Sequence, residues 1–346
     1  MAGRRAFLLI SCAPGPSTHA SKIIVSNLLY RTLIADDMQA VDRVIRESLH
    51  SDVALIRQMA EYIIGAGGKR MRPALTLLSG LACGYRGEHL YKLAAMIEFI
   101  HTSTLLHDDV VDESDMRRGR ETANALFGNA ASVLVGDFLY TRAFQMMVGS
   151  GNMRVLEVMA EATNIIAEGE VLQLLNIGET DVSEEQYLQV IRYKTAKLFE
   201  AAAQVGAIMA GADEDSIAAL AAYGMHLGTA FQIIDDVLDY SGDAATIGKS
   251  LGDDLAEGKP TLPLIYTMRH GSAETAELVR DAIANANRDR FPEVLSAVQC
   301  CGALDYATAE AERAADAAIA AIAGLPESDI KAALVDLAYQ AVRRQA

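Results

Sequence analysis

Residues 97–112, IEFIHTSTLLHDDVVD, decide how this chain is read. Apolar residues recur there at three-to-four spacing, as in a helix packed into a core. That apolar body runs straight into three carboxylates, Asp108, Asp109 and Asp112. Asp108 and Asp112 share a helix face, with roughly 5 to 6 Å between their Cβ atoms. His101 lies two turns earlier on a similar line. Two carboxylates about 4 Å apart in a partly buried site repel by on the order of 4 kcal/mol at an effective dielectric of 20. A divalent cation between them reverses the sign.

The arrangement returns in residues 228–239, GTAFQIIDDVLD, where Asp235 and Asp239 share a face beside Asp236, and Gln232 lies one turn earlier. One DDxxD is also what a solvated helix end looks like. Two copies, each ending an apolar helix that belongs in a core, point to a metal site built from both. Oxygen ligands with no His or Cys set suit magnesium, which bridges carboxylates to substrate phosphates. Basic islands flank both clusters: Lys69, Arg70 and Arg72 in residues 65–73 (GAGGKRMRP), Arg117 and Arg118 in residues 114–120 (SDMRRGR), and Lys249 and Lys259 in residues 241–263. Singly these are solvated loop charges; beside the aspartates they read as anion clamps. GGKRMRP lacks P-loop spacing and follows no strand pattern. Lys194 and Thr195 interrupt an apolar run, where an inward lysine needs an anion and an outward one reaches solvent. Asp137, Glu168, Glu170 and Gln173, set in apolar helices, read as buried hydrogen-bond partners.

The rest of the chain agrees with an all-α fold. Half of its 346 residues are apolar, tryptophan is absent, and aromatics make up 6%, a composition that favours closely packed helices. From about residue 36 helical periodicity is nearly continuous, with no clear domain boundary. Residues 130–148 are apolar nearly all round, which predicts a helix buried in the middle of a bundle. The alanine-rich stretch after residue 274 reads as packing, without chemistry. A formal charge of −16 excludes nucleic acid as the main partner, since phosphate backbones need clustered Lys and Arg. Cys12, Cys83, Cys300 and Cys301 have neither zinc nor redox spacing and read as reduced thiols of a cytoplasmic protein. The apolar run at residues 7–10 is shorter than a secretory core.

Together, GGKRMRP, HTSTLLHDDVVDESDMRRG, KT, FQIIDDVLDYSGD and GKSLGDDLAEGKPTLP resemble the ordered motifs of the trans-polyprenyl diphosphate synthases, in detail those of the bacterial octaprenyl type. The likeness runs from about residue 25 to the end and leaves residues 1–24 outside as a leader. It implies a single large helical bundle of the isoprenoid synthase type with a central cavity. By this resemblance Asp108 and Asp112, with Asp109 supporting, hold two magnesium ions, and Asp235 and Asp239 a third. Arg117, Lys194 and Lys259, helped by Lys249, clamp the allylic diphosphate; Lys69, Arg72, His101 and Arg118 hold that of isopentenyl diphosphate. Thr195, Gln232 and the Lys194 carbonyl face the reacting carbon. A flap at residues 248–258 closes over the site. A homodimer, and transient membrane contact to release an insoluble product, are also implied.

The growing tail must leave the aspartates along their own helix, past Thr104, Ser103 and Ile100. Ser103, five residues before Asp108, is small where early-stopping relatives carry aromatics, so an octaprenyl-range product for a respiratory quinone side chain is expected. The alternatives are a geranylgeranyl or farnesyl diphosphate synthase, with the same site and a shorter tunnel, and a non-catalytic subunit of a heteromeric synthase. Such a subunit usually lacks an aspartate motif, and a terpene cyclase has a different second motif.

Overall fold

The computed structural model describes residues 29–65, 67–117, 119–241 and 251–343. The leader, Arg118, Lys249 and the start of the expected flap therefore lie outside the described residues. The first half runs α1 (Leu29–Leu33), α2 (Ala35–Ser48), α3 (Ala54–Gly65), α4 (Met71–Ala82) and α5 (Glu88–Val111). A two-stranded hairpin, β1 (Met116–Arg117) and β2 (Arg120–Glu121), pairs Met116 with Glu121. Then follow α6 (Ala123–Phe127), α7 (Asn129–Gly149), α8 (Met153–Asn176), α9 (Glu184–Ile191), a π-helical turn (Arg192–Ala196) and α10 (Lys197–Met209). The second half has α11 (Glu214–Ser241), α12 (Asp253–Ala256), α13 (Leu262–His270), α14 (Ala273–Ala284), α15 (Phe291–Cys300), α16 (Ala303–Ala321) and α17 (Asp329–Val342).

Local chemistry starts these helices where they start. Ser183 forms a full capping box with Gln186 ahead of α9, and Asn152, Ser272 and Ser328 accept backbone N–H groups at the heads of α8, α14 and α17. Packing does the larger work, because each fully buried Leu, Ile or Met side chain contributes roughly 1.5–3 kcal/mol. One apolar cluster joins α2, α4, α5, α7, α8 and α10 through residues such as Leu75, Leu78, Met96, Ile97, Met159 and Phe199. A second gathers Ile233, Ile234, Tyr240, Leu264, Val279 and Ala307. α11 feeds both, through Tyr223 and Leu227 at one end and Ile233 to Tyr240 at the other. Ala303, Ala307, Ala311, Ala315 and Ala318 of α16 are buried, and their small side chains let α11 lie close against it.

Three expectations need correction. α7 is not surrounded: Val135, Leu139, Ala143 and Met147 are buried, but Leu134 is 66% and Val148 67% exposed. Its buried side packs on α5, and in the single chain its opposite side meets solvent. Asp137 and Glu168 are exposed rather than buried; both sit on the outer sides of α7 and α8, where a polar group costs nothing.

Candidate active site

The end of α5 and the end of α11 line one cavity of about 720 Å³. Asp108 and Asp112 enter from one wall, Asp235 and Asp239 from the other. The basic residues converge on the same space: Lys69 and Arg72 from the loop and head of α4, Arg117 from the hairpin, Lys194 from the π-helical turn and Lys259 from the loop before α13. His101, Thr104, Thr195 and Gln232 line it too.

Two lysines already answer the first acidic row. The Lys194 ammonium lies 2.5 Å from Glu170 and 3.6 Å from Asp108; that of Lys259 lies 2.5 Å from Glu257 and 2.9 Å from Asp112. Burial alone would lower the proton affinity of Lys259, but Glu257 and Asp112 outweigh it and hold the ammonium above its usual range. Glu170, expected to be a buried hydrogen-bond partner, is instead a wall of the cavity. Burial and then the charge of Asp108 push its carboxyl up to about 7 against the pull of Lys194. Its signal in the sequence was a polar residue set in an apolar helix, which does not separate it from the exposed Glu168.

Asp109 does not reach this cavity. It is 4% exposed, accepts the Arg117 guanidinium at 2.6 Å, and its carbonyl accepts the Asn124 amide at 3.1 Å. On a helix its side chain lies about 100° from Asp108, so it faces the hairpin instead of the cavity. Its supporting role is to hold Arg117.

The second acidic row is held differently. Asp236 is buried and accepts from the Tyr187 hydroxyl at 2.7 Å and the Gln232 amide at 2.8 Å. Burial first, then Asp254, pushes its carboxyl far above the usual carboxylate range. Burial and Asp236 likewise raise the Tyr187 hydroxyl. Asp239 accepts the backbone N–H groups of Gly252, Asp253 and Asp254 at 3.1 to 3.3 Å. It thereby caps α12, an interaction with a helix head that the DDxxD spacing alone does not announce. Burial and the charge of Asp254 still raise Asp239 to about 8. Neither Tyr187 nor Asp254 stood out in the sequence, since each sits in an ordinary helix or loop context.

The π-helical turn places Lys194 and Thr195 on the cavity wall, and the chain leaves it room at two glycines. A Cβ on Gly169 of α8 would lie 2.5 Å from the Lys194 nitrogen, and one on Gly228 of α11 would lie 2.6 Å from the Ala196 Cα. Such turns cost regular hydrogen bonding and cluster at working sites. Thr195 donates its hydroxyl to the Gln232 oxygen at 3.1 Å. Arg72 lies 3.2 Å from the His101 ring nitrogen and stacks 4.3 Å over Phe199.

Of the residues expected to set product length, only Thr104 reaches the cavity. Ser103 is 1% exposed and donates to the Gly136 carbonyl of α7 at 2.8 Å, and Ile100 is buried between helices.

Among the described residues no three His, Cys, Asp or Glu side chains converge on one point. Oxygen donors nevertheless face one another across a polar space, and burial, then neighbouring carboxylates, raise the proton affinities of Glu170 and Asp239. A cage completed by phosphate oxygens needs no more from the protein.

Residues 53–298 match the family described as polyprenyl synthetase. The chain is 56% identical over 313 residues to octaprenyl diphosphate synthase of Escherichia coli K12, covering 90% of this chain and 97% of that one. It is 48% identical to an all-trans-nonaprenyl-diphosphate synthase (geranyl-diphosphate specific) of Rhodobacter capsulatus, covering 90% and 96%. A crystal structure of polyprenyl synthase from Caulobacter crescentus CB15, complexed with calcium and isoprenyl diphosphate, superposes with a TM-score of 0.89 at 46% identity, covering 92% of this chain and 98% of that one. This chain belongs to the polyprenyl synthetase family.

Proposed function

We propose that the protein is a magnesium-dependent prenyltransferase that condenses isopentenyl diphosphate with an allylic diphosphate, farnesyl diphosphate as primer, and repeats the step to all-trans octaprenyl diphosphate for a respiratory quinone side chain. The observation that carries this reading is the one cavity lined by both aspartate rows and by Lys69, Arg72, Arg117, Lys194 and Lys259. The octaprenyl product rests on the 56% identity to the Escherichia coli enzyme.

In this reading Asp108, Asp112, Asp235 and Asp239 hold magnesium, three ions when substrate is bound. The metal supplies charge neutralisation of the leaving diphosphate. Lys194, Lys259 and Arg117 turn from their carboxylates to the allylic diphosphate and stabilise the charge that builds on it. The allylic carbon–oxygen bond breaks with its electron pair going to diphosphate. Thr195, Gln232 and the Lys194 carbonyl present oxygen atoms to the resulting carbocation. Lys69, Arg72 and His101 hold isopentenyl diphosphate so that its alkene attacks that carbon, and the new tertiary cation loses a proton to the departed diphosphate.

We also read the protein as a cytoplasmic homodimer that touches membrane only to release product. The exposed apolar residues Val133, Leu134 and Val148 of α7 with Val171, Leu174 and Leu175 of α8 support the dimer, because monomer surfaces rarely keep so much apolar area open. Turnover of labelled isopentenyl diphosphate with and without magnesium, with product sizing, tests the reading. It predicts metal-dependent formation of a C40 product; no turnover, or turnover without metal, would contradict it.

A further inference from the structure

Four side chains form one unbroken hydrogen-bonded line along the cavity wall: Tyr187, Asp236, Gln232 and Thr195. The Tyr187 hydroxyl donates to one carboxylate oxygen of Asp236 at 2.7 Å, and the Gln232 amide nitrogen donates to the other at 2.8 Å. Thr195 donates to the Gln232 oxygen at 3.1 Å. Tyr187 is 5% and Asp236 4% exposed, so water does not compete for these partners.

The direction of the Gln232 amide follows from its partners. One Asp236 oxygen faces the Tyr187 hydroxyl and the other accepts from Gln232, so the amide turns its NH₂ to Asp236 and its oxygen to Thr195 at the cavity. A glutamine alone has no such preference: rotation by about 180° would aim a positive N–H dipole at the cavity instead. Orientation matters here because the reacting carbon carries positive charge, which an oxygen stabilises and an amide N–H opposes. The Tyr187 hydroxyl occupies the far oxygen of Asp236 and so fixes the plane in which the near oxygen meets Gln232. Without it, the carboxylate rotates and the amide loses its template.

We propose that Tyr187 is a positioning residue for the condensation, acting through Asp236 to keep the oxygen of Gln232 directed at the allylic carbocation. This rests on the prenyltransferase reading above. Tyr187 itself touches no reacting atom. Asp236 acts here as an orienting acceptor, which accounts for its being the most buried of the three second-motif aspartates, at 4% exposed.

The test is steady-state turnover of isopentenyl and farnesyl diphosphates with magnesium for the parent, Tyr187→Phe, Gln232→Leu and the double variant, with the melting temperature of each. Tyr187→Phe removes one oxygen and keeps the ring. Its kcat is expected to fall on the order of 10-fold or more, with both KM values and the half-saturating magnesium concentration within about twofold of the parent, since neither diphosphate clamp nor metal-facing carboxylate has changed. Gln232→Leu is expected to lose at least as much, and adding Tyr187→Phe to it should cost nothing further, because the tyrosine acts only through the amide. Losses that multiply in the double variant, a parent-like kcat in Tyr187→Phe, or a shifted magnesium requirement would overturn the proposal. If Tyr187→Phe does not stay folded at the assay temperature, Asp236→Asn replaces it in the same cycle. Its amide can donate to Gln232 and permits the reversed orientation, so it too should add nothing to Gln232→Leu, and multiplying losses would again overturn the idea. A parent that turned over no isopentenyl diphosphate would instead remove the prenyltransferase reading itself.

Discussion

The two acidic motifs have the same spelling and are compensated by different means. In the first, full cations answer the charge: Lys194 near Asp108, Lys259 on Asp112, Arg117 on Asp109. In the second, dipoles answer it: the Tyr187 hydroxyl and Gln232 amide on Asp236, three backbone N–H groups on Asp239. Dipoles offset burial less completely, and Asp236 and Asp239 are pushed upward in proton affinity while lysines stand ready at the first motif. The first row can exchange one set of cations for another when substrate arrives. In the proposed function, added metal would favour the ionised form of Asp239, which burial and Asp254 raise.

The largest effect that can break this comparison is loss of a cavity-facing carboxylate. Asp108→Ala and Asp235→Ala should each lower kcat/KM by at least about 10³-fold, measured with magnesium and labelled isopentenyl diphosphate. The metal-dependence curves should separate them, with Asp235→Ala needing the greater excess of magnesium, since Asp236 and Asp239 beside it are held by hydroxyl, amide and backbone N–H dipoles. Equal curves would mean that the two rows are equivalent after all.

A smaller effect concerns the central carboxylate of the first motif. Asp109→Asn keeps the shape but weakens the ion pair with Arg117, so KM for the allylic diphosphate should rise on the order of 10-fold as the clamp loses direction. KM for isopentenyl diphosphate should stay near the parent value. The reverse pattern would place Arg117 at the other substrate.

A third test uses pH. Glu170 and Asp239 hold their protons in the fold up to about 7 and about 8, against ordinary values of 4.5 and 3.8. Between about pH 4 and 8 the folded state thus binds more protons than the unfolded state, and stability falls as pH rises through that window. Metal-free protein should therefore melt lower at pH 8 than at pH 5, by on the order of 5 °C from these two carboxyls. Magnesium with inorganic pyrophosphate should flatten the trend, because a bound cation restores the value of the charged form. A melting temperature that climbs toward pH 8 without metal would contradict the assignment of these carboxyls.

Product length gives the subtlest contrast, between neighbours on α5. Thr104→Phe projects into the cavity and should shorten the product with little loss of stability. Ser103→Phe must instead displace α7, whose Gly136 carbonyl holds the serine hydroxyl, and such overpacking costs about 1–3 kcal/mol. Chain sizing together with thermal melting distinguishes the two.

Much of this site was legible in the sequence because its residues obey short-range rules. Four-residue spacing puts Asp108 beside Asp112 and Asp235 beside Asp239, and the glycine-rich breaks announced Lys69, Arg72, Arg117 and Lys259. Side-chain direction across elements was not legible. The turning of Asp109 toward Arg117, the capping of α12 by Asp239 and the anchoring of Asp236 by Tyr187 each join positions far apart in the chain. Glu170 was hidden because helical periodicity gives a face without saying what stands opposite. The helix predicted to be central, α7, is apolar on both sides, and hydropathy does not tell a buried side from an exposed apolar one.

The most direct measurement is binding of a non-ionising thio analogue of farnesyl diphosphate, by calorimetry, with and without magnesium, in the parent and in Asp108→Ala combined with Asp235→Ala. Cooperation of both rows through metal predicts that magnesium tightens binding at least about 100-fold in the parent, as several charge-assisted contacts require, and not in the double variant. Magnesium-dependent tightening of the same size in both proteins would contradict it.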